Sequence, residues 1–190
     1  MSKQISYLSA STLIATPEAQ ITIAAPRGRL SLRLRKGLTA CDKALGVKLP
    51  RTIGARSEKN GIEVVCLGPD EWTIVTDLDR VAGIQSALAS IYPDHPHALT
   101  DITLRELSFV IAGKSAMELL TIGCARDLAS FEIGSARRIL FDVATTTLWR
   151  DGENTFRLDV WNSFVPFIAQ TLITGTKEIT AEQAARATTT

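Results

Sequence analysis

Apolar and polar residues alternate most clearly over 28–35, "GRLSLRLR", where Leu30, Leu32 and Leu34 point one way and Arg29, Ser31, Arg33 and Arg35 the other. A period of two predicts a half-buried strand, here with a basic outer face. The spacing then widens to Leu38, Cys41 and Leu45, which predicts a short helix ended by Gly46 and shut off before Pro50. Residues 50–61 are basic and contain glycine, and they read as a loop. "IEVVCLGPDEWTIVT" predicts two strands around a turn at Gly68, Pro69 and Asp70. Val81, Ile84, Leu88 and Ile91 recur at helical spacing, with Asp79 placed as the N-cap.

After a proline- and histidine-containing link, "PDHPHA", the same grammar returns. "LTDITL" and "LSFVIAG" read as strands, "SAMELLTIG" as a helix, and "ILFDVATTTLWR" with "TFRLDVW" as a hairpin around Asp151 and Gly152. Phe164, Phe167, Ile168 and Leu172 form the stripe of a last helix, capped by Asn162 or Ser163 and ended by Gly175. The expected architecture is α+β: two pseudo-repeated β-rich halves with flanking helices, at about 21–93 and 97–175, in a single domain over 21–175. Residues 1–20 read as an irregular arm and 176–190 as a flexible tail.

Composition narrows the function. The 190 residues are 45% apolar, enough for a core, and a net charge of +1 argues against nucleic acid or a membrane as the main partner. The charge is uneven: residues 1–60 hold eleven Lys/Arg against three Asp/Glu, and 61–190 hold ten against seventeen. Either basic strand faces lie beside acidic ones within the fold, or a basic face meets an acidic partner protein. Three widely spaced cysteines, Cys41, Cys66 and Cys124, suggest no disulfide framework, and no apolar run approaches the roughly 20 residues of a membrane span. A cytoplasmic location is expected.

Several constellations invite chemistry. "LTIGCARDL" at 120–128 puts a thiol, a guanidinium and a carboxylate within four residues, but a nucleophilic cysteine needs a base, and the two histidines, His95 and His97, lie far off in the link. The structural reading is favoured: Gly123 as a left-handed helix end, Cys124 as a small buried residue, and Asp127 bonding nearby amides. His95 and His97 with Asp94 and Asp101 make a weak metal set. Asp101 and Arg105 suggest a structural ion pair, and Arg137 with Arg138 a bidentate anion grip or two solvated arginines. No phosphate-binding glycine loop, nucleophile elbow or H-E-x-x-H motif is present, so no catalytic, cofactor-binding or metal residue is assigned. The interface candidates are Arg29, Arg33, Arg35, Trp72, Arg105, Arg137 and Trp161.

"LGPDEW" at 67–72, "TDITLRE" at 100–106, "LLTIGCARDL" at 119–128, Phe131 and Gly134 followed by "ARRIL", and Phe156, Leu158, Val160, Ser163 and Phe164 together resemble the gamma subunit of heterotetrameric sarcosine oxidase, from about Gly28 to Gly175. The resemblance implies a noncatalytic subunit of a complex that demethylates sarcosine to glycine, with partner alpha, beta and delta subunits. It implies no cofactor in this chain; FAD, FMN, NAD and tetrahydrofolate are implied in the partner subunits. It also implies a fold similar to the folate-binding domain of the glycine-cleavage aminomethyltransferase. The chain departs from the family pattern at Thr103, Leu104 and Arg138, and no folate-gripping acidic residue carries over. The alternative is a free-standing folate-binding or aminomethyltransferase-like module, and a weaker third reading is a redox sensor using Cys124.

Overall fold

The computed structural model describes residues 9–188. The chain divides into two compact units, one of residues 27–104 with 135–137, the other of 1–26, 105–134 and 138–190. The units do not follow the order of the two expected halves. Residues 21–23, assigned by sequence to the first half, form with Gln20 a strand in the sheet built mainly from the second.

The unit of 27–104 with 135–137 holds a five-stranded sheet. Its strands are β3 (Gly28–Arg33), β4 (Arg56–Lys59), β5 (Ile62–Gly68), β6 (Glu71–Thr76) and β7 (Ala98–Asp101), in the order β4-β5-β6-β3-β7. Leu30 and Leu32 of β3 and Ile74 of β6 share a core with Cys41 and Leu45 of helix α1 (Leu38–Leu45) and Leu88 of helix α2 (Val81–Ile91). Gly46 ends α1 in the left-handed region, as its position predicts. The expected loop at 50–61 contains β4, joined to β5 through Asn60 (φ 53°) and Gly61 (φ 73°), with Lys59 opposite Ile62. Asn-Gly is the preferred sequence for a two-residue turn needing positive φ twice, and this was the overlooked signal. Asp79 caps nothing with its side chain; it lies in a single 3₁₀ turn, Leu78–Arg80, that leads into α2.

The other unit holds a six-stranded sheet of β1 (Ser11–Ala15), β2 (Gln20–Ile23), β8 (Glu106–Ala112), β9 (Ala136–Phe141), β10 (Ala144–Gly152) and β11 (Thr155–Trp161), in the order β1-β2-β8-β11-β10-β9. Phe109 of β8, Leu148 of β10 and Phe156 of β11 pack with Leu120 of helix α3 (Ala116–Leu120) and Leu172 of helix α4 (Val165–Thr188). The expected irregular arm contains β1; its residues 1–8 lie outside the described residues. A register shift between Thr12 and Ile14 breaks the alternation that would have announced the strand. The expected single strand over 139–150 is two, turned at Asp142, which adopts φ 52°.

Gly175 does not end the last helix, and most of the expected tail is helical, to Thr188; residues 189 and 190 lie outside the described residues. A Cβ at Gly175 would stand 2.2 Å from Ile122 Cδ1, so this glycine serves close packing. Thr176 and Ile179 keep the next turns buried, and alanine-rich sequence with a Glu182–Arg186 pair at 2.5 Å sustains the helix beyond them. Asn162 and Ser163 lie in a 3₁₀ turn, Asn162–Phe164, that leads into α4.

Candidate functional site

The segment 120–128 follows directly from α3. The amide of Cys124 donates to Leu120 O at 3.0 Å, and Cys124 is buried. Gly123 is not left-handed as expected; its missing Cβ admits the Phe141 ring, whose Cε1 would lie 2.6 Å from that atom. Asp127 Oδ1 accepts from the Ala129 amide at 3.0 Å, and hydrogen bonding from Ser130 first, then from that amide, holds its carboxyl below the ordinary value. Arg150 Nη1 donates to Leu128 O at 3.2 Å and also to Phe131 O, tying the loop to β10. Asp127 therefore braces a loop in which Cys124 is buried and Arg126 lies 5.9 Å from the Phe131 ring centroid. Burial raises the thiols of Cys41 and Cys66.

A buried polar cluster on β8, β10 and β11 escaped sequence reasoning. Asp159, 2% exposed, accepts from Trp149 Nε1 at 2.7 Å and from the hydroxyl of Ser108, which stands opposite it across β8 and β11. Arg157 lies 4.4 Å from the Trp149 ring centroid and pairs with Asp151 at 2.8 Å. Alternation places Asp159 correctly on the face opposite Leu158, but only non-local neighbours bury that face. A carboxylate already engaged by a hydroxyl and an indole organises its surroundings. Glu18 is buried too, with Lys114 Nζ at 2.9 Å and Ser115 Oγ at 3.1 Å; the Lys114 hydrogen bond is the main cause of its lowered pKa.

The seven interface candidates separate sharply. Arg29, 3% exposed, donates Nη1 to Arg27 O at 3.2 Å, and Trp72, 2% exposed, donates Nε1 to Pro50 O at 2.7 Å. Both are interior residues: Trp72, opposite Leu32, joins the apolar core, and Arg29 corrects the expected basic outer face of β3 at its start, while Arg33 and Arg35 remain exposed. Arg137 donates to Ile53 O and lies against Gly54, whose φ of +90° lets the chain turn beneath the guanidinium. Arg33 pairs with Glu71 at 2.9 Å and Arg35 with Asp70 at 3.4 Å, so neighbouring strands neutralise part of the basic N-terminal stretch, as the first reading of the charge pattern holds. Arg105 pairs with Glu106 at 2.6 Å and stacks 5.2 Å from the ring centroid of Trp161, which is 43% exposed.

Two expected groupings dissolve. Asp101 Oδ1 caps its own turn by accepting from the Thr103 amide at 2.9 Å, so the suggested pair with Arg105 does not form. His97 packs edge-on against Tyr92 at 5.5 Å, and a Cβ on Gly37 would meet the His95 ring at 2.9 Å. Among the described residues no three His, Cys, Asp or Glu side chains converge as metal ligands, and no helix is long and apolar enough to cross a membrane.

No protein-family model matches the chain. It is 28% identical over 163 residues to sarcosine oxidase subunit gamma of Corynebacterium sp. (strain U-96), covering 83% of this chain and 78% of that protein. It is 26% identical over 152 residues to the subunit of the same name from Corynebacterium sp. (strain P-1), covering 78% and 74%. In structure it is similar to a chain of the heterotetrameric sarcosine oxidase from Corynebacterium sp. U-96, with a TM-score of 0.78, 24% identity and 88% of each chain covered. It is also similar to the glycine cleavage system aminomethyltransferase T from Bartonella henselae, with a TM-score of 0.62, 12% identity, and coverage of 82% of this chain and 45% of that one. The chain is thus a homologue of sarcosine oxidase gamma subunits, and its α+β fold is the one found in the heterotetrameric enzyme and in the aminomethyltransferase.

Proposed function

We propose that this chain is the noncatalytic gamma subunit of a heterotetrameric sarcosine oxidase complex that demethylates sarcosine to glycine with tetrahydrofolate as one-carbon acceptor. The observation that carries the reading is the similarity to two gamma subunits over about four-fifths of the chain. The geometry agrees: Asp127 and Asp101 each brace their own turn, Arg137 holds the distant turn at Ile53, and Cys124 is buried. FAD, FMN, NAD and folate then reside in partner subunits, which we identify as alpha, beta and delta. Of the interface candidates, Trp161 with Arg105, and Arg33 with Arg35, keep accessible side chains suited to contact.

Co-expression with the flavin-binding chains of neighbouring reading frames tests this. The chain co-purifies with them, while alone it shows no flavin absorbance and no sarcosine turnover. Trp161→Ala weakens the association about tenfold or more if this tryptophan is an anchor. Failure of the wild-type chain to co-purify overturns the proposal. The aminomethyltransferase fold favours one competing reading, a free-standing folate-binding module. Saturable binding of a reduced folate by the isolated chain in calorimetry would establish that reading instead.

A further inference from the structure

Residues 33–51 hold six Lys/Arg against one Asp/Glu, and the fold answers only the arginines. Arg33 pairs with Glu71 at 2.9 Å, Arg35 with Asp70 at 3.4 Å and Arg51 with Asp42 at 2.6 Å. Lys36, Lys43 and Lys48 are exposed and have no carboxylate partner among the described residues. All three flank one element: Lys36 precedes α1, Lys43 lies in its last turn, and Lys48 follows Gly46. A helix of 8 residues is about 12 Å long, comparable to the Debye length at physiological salt, so the three charges add to one local field.

That field borders an open groove of about 430 Å³ between α1 and α2. Ala40, Ala44, Ala87 and Ile91 line it with small or aliphatic surface, and Lys43 and His95 are its cationic and titratable members. The His95 ring is set against the backbone at Gly37, where a Cβ would stand 2.9 Å from Nδ1, and the His95 amide donates to Ile91 O at 2.9 Å. The imidazole itself has no hydrogen-bond partner among the described residues. Asp94 is the one carboxylate lining the groove, against three unpaired lysines around it.

We infer that this groove is a docking surface for an acidic segment of a larger chain of the assembly, which seats an aspartate or glutamate side chain between Lys43 and His95. The inference rests on the reading of the chain as a complex subunit. Charge complementarity selects the occupant: lysines left over by a fold that pairs the neighbouring arginines gain from a carboxylate supplied from outside. The basic stretch thus divides, its arginines balanced within the unit and its lysines free for a partner. Nucleic acid is disfavoured, since arginine forks grip phosphate best and the arginines here are already engaged.

Charge reversal tests the surface. Lys43→Glu with Lys48→Glu is compared with Lys59→Glu and Lys177→Glu together, a control that changes the net charge equally at exposed lysines elsewhere. Association with the flavin-binding chains of neighbouring reading frames is followed at several salt concentrations. The groove pair associates about tenfold or more slowly at low salt and loses most of the salt dependence, while the control stays within about threefold of wild type. If Lys43→Glu unravels α1, Lys36→Glu with Lys48→Glu, both outside the helix, decides. His95→Ala keeps the association rate but speeds dissociation about fivefold or more, because the seated carboxylate loses a hydrogen bond. Unchanged rates and salt dependence in the groove variants overturn the docking surface and leave the subunit reading standing. A wild-type chain that binds no flavin-binding chain overturns the subunit reading and the inference with it. Retention of the wild-type chain on duplex DNA at physiological salt, lost in the groove pair, assigns the lysines to nucleic acid and also overturns the inference.

Discussion

The five-stranded unit and the six-stranded unit use the same plan, a sheet packed against helices, yet they are held together differently. In the first, short hairpins join β4, β5 and β6, although β3 also pairs with β6 and β7 from about 40 to 70 positions away, and polar side chains find simple partners: Arg33 pairs with Glu71 on the adjacent strand, and Trp72 donates to Pro50 O. In the second, β2 pairs with β8 and β8 with β11, joining residues about 90 and 50 positions apart. Its polar residues include a buried carboxylate that bridges three strands. Crowded glycines occur in both units, at Gly28 and Gly54 in the first and at Gly113, Gly123 and Gly175 in the second, so the contrast lies in the carboxylate: a residue that must fit several distant segments has no single neighbour that can relax around it.

Substitutions can break or sharpen that contrast. The largest effect belongs to Asp159→Ala, which leaves the buried donors of Ser108 and Trp149 without an acceptor and costs about 3 kcal/mol in a urea titration. Next comes the same change at two glycines. Gly123→Ala drives a methyl into the Phe141 ring and costs about 2 kcal/mol, whereas Gly46→Ala meets nothing within 4 Å and costs about 1 kcal/mol for its left-handed backbone alone. Equal losses at the two sites would erase the distinction between packing and conformation. Trp72→Phe, which leaves Pro50 O unpaired, costs about 1 to 2 kcal/mol by thermal melting. Arg33→Ala removes only an exposed pair and moves stability by less than about 0.5 kcal/mol; a loss as large as that at Asp159 would refute the comparison.

The smallest effect is read from the pH dependence of stability. Lys114 and Ser115 hold the Glu18 carboxyl below its ordinary value near 4.5, so the native state binds that proton less readily than the unfolded chain. The stabilisation is therefore complete above about pH 4.5 and declines as pH falls through the lowered native value. Lys114→Met lowers stability slightly at neutral pH and flattens that acid limb, so that the variant and wild-type curves converge in acid. A steeper acid limb in the variant would contradict the assignment.

Much of the fold was legible because local rules sufficed. Leu30 and Leu32 face the core as their alternation requires, Gly46 ends its helix, and the Gly68-Pro69-Asp70 turn joins β5 to β6. The sites were less legible. Asp127 bonds to neighbouring amides as expected, but the chain from 120 to 128 is held by Phe141, Asp142 and Arg150, none of them close in sequence. Asp159 gave no local sign of burial, and Arg29 looked like any strand-surface arginine.

What the sequence alone determined is periodic: which residues share a face, where the chain turns, and the family resemblance, which rests on motifs in order. Period and turn chemistry act over a few bonds, so they are written locally. Whether a face then meets water or protein was decided only by tertiary structure. Arg29 and Trp72 are covered while Trp161 and Phe167 are not, and α4 continues through Gly175, where Ile122 occupies the space a side chain would take. Burial is a property of neighbours brought in from far along the chain, and a residue's own spacing carries no record of them.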